Sequence, residues 1–151
     1  MVWAVEIVDR TPDEYLSSIT DEAIRAHMLR LDSVISDAMP GRCRRLWEGI
    51  FWGGTEQSII GYGDLVQPRP RGKTVEWFLV GLARQKKHFS LYVNAVVDGV
   101  YLGQHDADRL GNVKVGAASI TFTRVDGVDL GALRELLGRA DELTPPDRRE
   151  S

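Results

Sequence analysis

Lys86-Lys87-His88 puts three consecutive side chains able to hold or move charge in the polar break between two apolar runs at 75–83 and 89–93. A further lysine, in Lys114-Val115-Gly116, precedes an apolar run at 119–124. Cationic groups of this kind attract an anion, and a small-molecule pocket needs an apolar floor with a few convergent polar groups. Trp47, Trp52, Tyr62, Trp77, Phe78 and Tyr92 offer such a floor, because they fall on neighbouring strand-like runs. The ligand-binding set read from the sequence is therefore Trp52, Tyr62, Trp77, Lys87, His88, Tyr92 and Lys114. In the competing reading the tryptophans are core and the lysines guard strand edges against unwanted pairing.

Other chemistry is poorly served. His27 follows Ile24 by three residues and reads as a half-buried helix histidine. His105-Asp106-Ala107-Asp108 gathers oxygen and nitrogen donors without the spacing of a closed zinc site or the glycine of a calcium loop. Asp13, Glu14, Asp21 and Glu22 sit in first helical turns, where negative charge complements the helix dipole. No metal ligands are assigned. Gly61-Tyr62-Gly63 lies within a strand and opens no helix, so it reads as glycines that let an aromatic ring cross the strand. The chain has no G-x-S-x-G elbow and no Cys-x-x-Cys pair. Cys43 stands among Arg42, Arg44 and Arg45, a setting that favours the thiolate, but no base accompanies it and it reads as a structural thiol. No catalytic residue is assigned.

The elements that must position these groups follow from local patterns. Thr11-Pro12-Asp13-Glu14 carries a cap, a first-turn proline and a capping-box glutamate, predicting a short helix to about Ser18. Thr20 opens a second helix whose stripe is Ile24, Met28, Leu31, Ile35 and Ala38, ended by Pro40-Gly41. Strands are predicted at 46–52, 58–65, 75–83, 89–93 and 119–124, with a solvated proline- and arginine-rich connection at 66–74. Residues 101–110 read as a short helix. Asp129 caps a last helix to about Ala140, with Val128 and Leu133 as its hydrophobic staple. The expectation is an α+β domain: an antiparallel sheet of about five strands with N-terminal and C-terminal helices packed on it. Both alternating sets along 75–83 are apolar, so that strand is covered on both faces or lines a pocket or an interface.

A chain of 151 residues suits one domain, taken as 1–143 with a flexible tail at 144–151. Globular proportions of apolar and charged residues (43% and 27%) argue against disorder. The net charge of −3 gives no bulk attraction to nucleic acid, no run is long enough to cross a membrane, and one cysteine fits a reducing cytoplasm. These features favour a non-enzymatic binder of a small molecule, with a self-associating (homodimeric) or protein-interaction module using an apolar sheet face as the alternative.

Four segments carry a family resemblance: Leu46-Trp47-Glu48-Gly49-Ile50-Phe51-Trp52, Lys86-Lys87-His88-Phe89-Ser90-Leu91-Tyr92, Lys114-Val115-Gly116-Ala117-Ala118-Ser119-Ile120-Thr121-Phe122 and Val128-Asp129-Leu130-Gly131-Ala132-Leu133. In this order, from about Tyr15 to Ala140, the chain resembles the YdhG-like domain of unknown function. The resemblance implies a small bacterial cytoplasmic protein with an α+β fold compared with frataxin. It also implies iron as a ligand, since one member is described as an intracellular iron chaperone.

Overall fold

The computed structural model describes residues 4–50, 56–68 and 70–147. In chain order the elements are β1 (Ala4–Ile7), α1 (Pro12–Ser17), α2 (Glu22–Ala38), β2 (Arg44–Ile50), β3 (Glu56–Pro68), β4 (Thr74–Arg84), β5 (Phe89–Val93), β6 (Val96–Val97), β7 (Val100–Tyr101), α3 (Leu102–His105), β8 (Lys114–Val115), β9 (Ser119–Phe122) and α4 (Leu130–Leu143). The class is α+β. Among the described residues the main sheet has seven strands, in the order β1-β2-β3-β4-β5-β9-β8, all antiparallel. The two strands beyond the expected five are its edges, β1 and β8, of four and two residues. Such lengths are too short for alternation to show in a sequence, and their position is settled by pairing to β2 and β9.

Helix starts follow side-chain chemistry. At α1 the Thr11 hydroxyl accepts from the Glu14 N–H (3.1 Å) and the Glu14 carboxylate from the Thr11 N–H (3.0 Å), closing the capping box. At α2 the cap is Asp21 and not Thr20: its carboxylate accepts from both the Ala23 and Ile24 N–H groups and adds the charge that the helix N-terminus favours. Asp129 caps α4 through the Ala132 N–H. The helix expected at 101–110 stops at His105 and resumes as a single 3-10 turn at Ala107–Arg109. Between them Asp106 is buried, ion-paired to Arg139 of α4 and within hydrogen-bonding distance of His105 Nδ1 (2.9 Å).

The helices lie on one face of the sheet. Met28, Leu31 and Ile35 of α2 and Leu133, Leu136, Leu137 and Ala140 of α4 pack with Leu46, Ile60, Val80, Leu82, Leu91 and Ile120 of the strands. Each such leucine or isoleucine contributes about 1.5–3 kcal/mol on burial. The other face carries a smaller cluster of Trp47, Ile59, Phe78 and Ala83, edged by Ile7, Trp77 and Tyr92, and no helix of the described residues packs there. Its rings lie over paired glycines: Gly61 faces Gly81 across the strands, and a Cβ on either would meet Trp47 Nε1 at 2.6 Å or a Phe78 ring carbon at 2.5 Å. Strict alternation in β4 fails at Trp77-Phe78 and again at Leu79-Val80, beside Gly63 of β3 with its φ of +81°. Leu79 and Val80 both join the helix-side core. Phe78 takes the fully buried place on the other face, and its neighbour Trp77 is half-buried.

Beyond the Tyr62–Val80 pair, β3 and β4 continue as a two-stranded ribbon, because β2 ends at Arg44 opposite Tyr62 and β5 ends at Val93 opposite Val80. At about 3.3 Å per residue the ribbon extends roughly 20 Å past its neighbours to Pro68. Its root is tied to the segment after α4. Arg42 donates to Asp141 Oδ1 (2.6 Å), to Asp147 Oδ1 (3.3 Å) and to the carbonyls of Asp141 (2.9 Å), Thr144 (2.7 Å) and Pro145 (2.6 Å). Asp147 in turn accepts from the backbone N–H groups of Cys43 (2.6 Å) and Asp64 (2.8 Å), where the β2–β3 ladder stops. Residues 144–147, expected as part of a loose tail, are thus held by the guanidinium of Arg42; 148–151 lie outside the described residues.

Candidate functional site

The β4–β5 connection positions the basic residues. Arg84 and Phe89 form the last pair, and the turn at 85–88 closes with the Gln85 N–H donating to the His88 carbonyl at 2.8 Å. Gln85 props the turn from the helix-free side. Its amide donates to Gln57 Oε1 (3.1 Å) and to the Tyr92 hydroxyl (3.2 Å), while its oxygen accepts from the buried Ser90 hydroxyl (2.5 Å). Side chains at 84 and 86–88 are thereby held outside the sheet end rather than folded onto it.

His88 is shared by three clefts around this turn. One, of about 530 Å³, runs along β8 and β9 and is lined by Lys114, Asn112, Ser119 and Thr121 besides His88. The second, of about 300 Å³, lies against the first turn of α2 and takes in His27, Asp21, Arg84, Lys86 and Lys87. The third, of about 680 Å³, takes in Tyr15, Gln57, Ser58, Arg84 and Lys86. Four cationic side chains border these clefts, and the single carboxylate, Asp21, already accepts two backbone N–H groups as the α2 cap.

Convergence of Lys114 with His88 arises from an unexpected pairing. β5 and β9 are antiparallel, Phe89 facing Phe122 and Tyr92 facing Ser119, so their starts lie at opposite ends. Lys114, however, belongs to β8, which folds back on β9 with Lys114 opposite Thr121, itself opposite Ser90. The extra hairpin returns the lysine to the His88 end. Lys87 borders the α2 side and Lys114 the β8 side, with His88 between them.

The described aromatic members of the sequence-derived set, Tyr62, Trp77 and Tyr92, do not line these clefts. Tyr62 is buried on the helix side, 2% exposed, and its hydroxyl donates to Asp32 Oδ1 at 2.6 Å. Arg44 grips the same Asp32 (2.9 and 2.8 Å) and reaches Asp13 of α1 (2.8 Å), so Tyr62 belongs to a strut that joins α1 and α2 to β2. Burial, then the negative charge of Asp32, pushes the Tyr62 hydroxyl well above its ordinary range. Trp77 and Tyr92 lie on the opposite face, so no cavity is walled by Tyr62 together with them. Trp52 lies outside the described residues.

Cys43, Asp64 and Asp147 form the group among the described residues whose donor atoms come close enough to surround a metal ion. They do not fit iron. Arg45 contacts both Cys43 Sγ (2.7 Å) and Asp64 Oδ1, Arg42 holds Asp147, and two backbone N–H groups occupy the Asp147 oxygens. Burial, then the carboxylates of Asp147 and Asp64, pushes the Cys43 thiol up to about 12, which keeps it protonated and a poor ligand. Guanidinium groups stand where a cation would. Three of the four acidic residues of the first turns are likewise committed: Asp13 to Arg44, Glu14 and Asp21 to caps.

Comparison of the chain with family models, with curated proteins and with solved structures finds no match. The geometry therefore stands alone. Arg84, Gln85 and Lys86 also border the site, although the ligand-binding set read from the sequence took only Lys87 and His88 from this turn; their signal was their place in or beside the short polar break between two strands. Asn112, Ser119 and Thr121 had no local signal, since the fold-back of β8 alone brings them beside His88.

Proposed function

We propose that this protein is a non-enzymatic binder of a small anionic molecule at the basic end of its sheet, centred on His88. The observation that carries the reading is the charge of the three clefts. In a chain of net charge −3, Arg84, Lys86, Lys87 and Lys114 border contiguous clefts whose one carboxylate is engaged as a helix cap. Focused positive potential of this kind raises the local concentration of an anion. The hydroxyl and amide groups of Ser119, Thr121 and Asn112 supply the neutral hydrogen-bonding partners that fix orientation. Membership of the YdhG-like domain is part of this proposal, because two of the segments that carry the resemblance, at 86–92 and 114–122, are the ones that build the site. Iron is not, since the nearest donor cluster is occupied by arginines.

Self-association through the apolar face has less support. Trp47 (6%), Phe78 (0%) and Ile59 (0%) are buried by their own neighbours and leave little apolar surface to cover. Titration calorimetry with pyrophosphate and citrate tests the main reading. Lys87→Met/Lys114→Met is expected to weaken the tighter of the two at least about tenfold, with the melting temperature nearly unchanged. Binding of neither anion, or binding untouched by the double substitution, would overturn it.

A further inference from the structure

We propose that the ligand of the basic sheet end is a sugar or polyol carrying two separated phosphate groups, one held in the β8 cleft and one in the α2 cleft. The inference rests on the anion-binding reading above and names the class of anion. Cations at this end are divided between two places. Lys114 borders the cleft of about 530 Å³ along β8 and β9, whereas Lys86 and Lys87 border the cleft of about 300 Å³ against α2. His88 and Thr123 line both clefts, so the two join there. Two strand spacings, roughly 10 Å, separate β8 from β5, because β9 runs between them. All three lysines are exposed, and no ion pair holds their ammonium groups among the described residues.

Each cleft suits a phosphate. Along β8 the Ser119 hydroxyl and the Asn112 amide accompany Lys114. Ser119 keeps its place because residue 116 is glycine: a Cβ there would meet Ser119 Oγ at 2.6 Å. A phosphate dianion has oxygens enough to accept from an ammonium and two neutral donors at once. Against α2, Arg84, Lys86 and Lys87 outnumber the one carboxylate, Asp21, which is engaged as the helix cap. A compact anion reaches one of these groups and leaves the other unmatched. Joined phosphates engage both, the second binding at the effective concentration that the linker sets. That linker passes the His88 ring and the Thr123 hydroxyl, polar groups that reward hydroxyl substituents over an alkyl chain. Phe89 and Phe122, the phenylalanines of these clefts, are 7% and 4% exposed and stack on each other, so neither offers a nucleobase an open face.

Calorimetry on the full chain with fructose 1,6-bisphosphate, fructose 6-phosphate and pyrophosphate tests the separation. The bisphosphate is expected to bind at least about tenfold more tightly than either of the others. Lys114→Met should bring it to within about twofold of fructose 6-phosphate, whose own affinity, set in the more cationic α2 cleft, stays nearly unchanged. Lys87→Met should weaken both sugar phosphates several-fold. Both positions are exposed, and unchanged melting temperatures check that the variants are folded. Pyrophosphate binding as tightly as the bisphosphate would reduce the site to one compact anion, ending this inference and leaving the anion-binding reading intact. So would a Lys114→Met loss shared equally by the two sugar phosphates. If none of the three anions binds, the anion-binding reading itself falls, and this inference with it.

Discussion

At the scale of single residues, neighbouring aromatics in one strand are unequal. Phe78 is fully buried over Gly81, whereas Trp77 keeps one side in solvent. Phe78→Ala is expected to cost about 3–5 kcal/mol in unfolding free energy, and Trp77→Ala clearly less, about 1–2 kcal/mol. Chemical denaturation of both variants decides this, and a larger loss at Trp77 would mean the rings are not arranged as described. Cys43 gives a second residue-scale outcome. Its thiol is raised to about 12 by burial and by Asp147 and Asp64, so it should resist alkylation in the native protein at pH 8, where an ordinary cysteine reacts. Rapid labelling without unfolding would contradict that environment. The sequence suggested the reverse direction, from the three arginines alongside; the two carboxylates that reverse it come from positions 64 and 147, far along the chain.

Among elements, the segment after α4 loses its anchor on acidification. Burial raises the Asp147 carboxyl, but hydrogen bonds from the Cys43 and Asp64 N–H groups and from Arg42 outweigh it and hold the group below its ordinary 3.8. A carboxylate ionised more readily in the folded state contributes stability that is whole above the unfolded value and is lost as pH falls through the folded one. Asp147→Asn should therefore destabilise the protein at neutral pH, by about 1–3 kcal/mol, and the gap between variant and parent should close below pH 4. Thermal melts across pH 2–7 measure it; a gap that persists at pH 2 would remove Asp147 from that role.

This contrast marks what a sequence shows. The capping box of α1, the Asp129 cap of α4 and the β4–β5 hairpin are all local, written within a few residues, and were legible. β8 and the Arg42 contacts were not, because a two-residue strand has no periodicity and a guanidinium has no local mark of its partner. The candidate site divides in the same way. Lys87 and His88 share one turn and could be grouped by reading, whereas Tyr62 was grouped with Trp77 and Tyr92, from which the sheet separates it, since apolar residues fill both faces of β3 and β4 and alternation could not choose between them.

Across the whole molecule, charge is sorted. Arg84, Lys86, Lys87 and Lys114 gather about the β4–β5 turn, whereas Arg42, Arg44 and Arg45 are each paired with a carboxylate. With a net charge of only −3, long-range attraction is a local property of each region and not of the protein. Affinity for pyrophosphate should fall steeply as salt rises from about 0.01 to 0.15 M, where the screening length shrinks from about 30 to 8 Å. Calorimetry at the two ionic strengths checks it; salt-independent affinity would place the anion somewhere other than the exposed basic turn.

Arg42 and the first of its partners, Asp141, are separated by 99 positions. During synthesis at about 5–20 residues per second, some 5–20 s pass between the appearance of one and of the other. For that interval a nascent chain has its first strands but not the carboxylate of Asp147, and the Cys43 N–H and its thiol have neither that acceptor nor that charge. The thiol that is inert in the finished protein thus passes through a window, on the ribosome, in which three arginines flank it and one of its two restraining carboxylates has not yet been made.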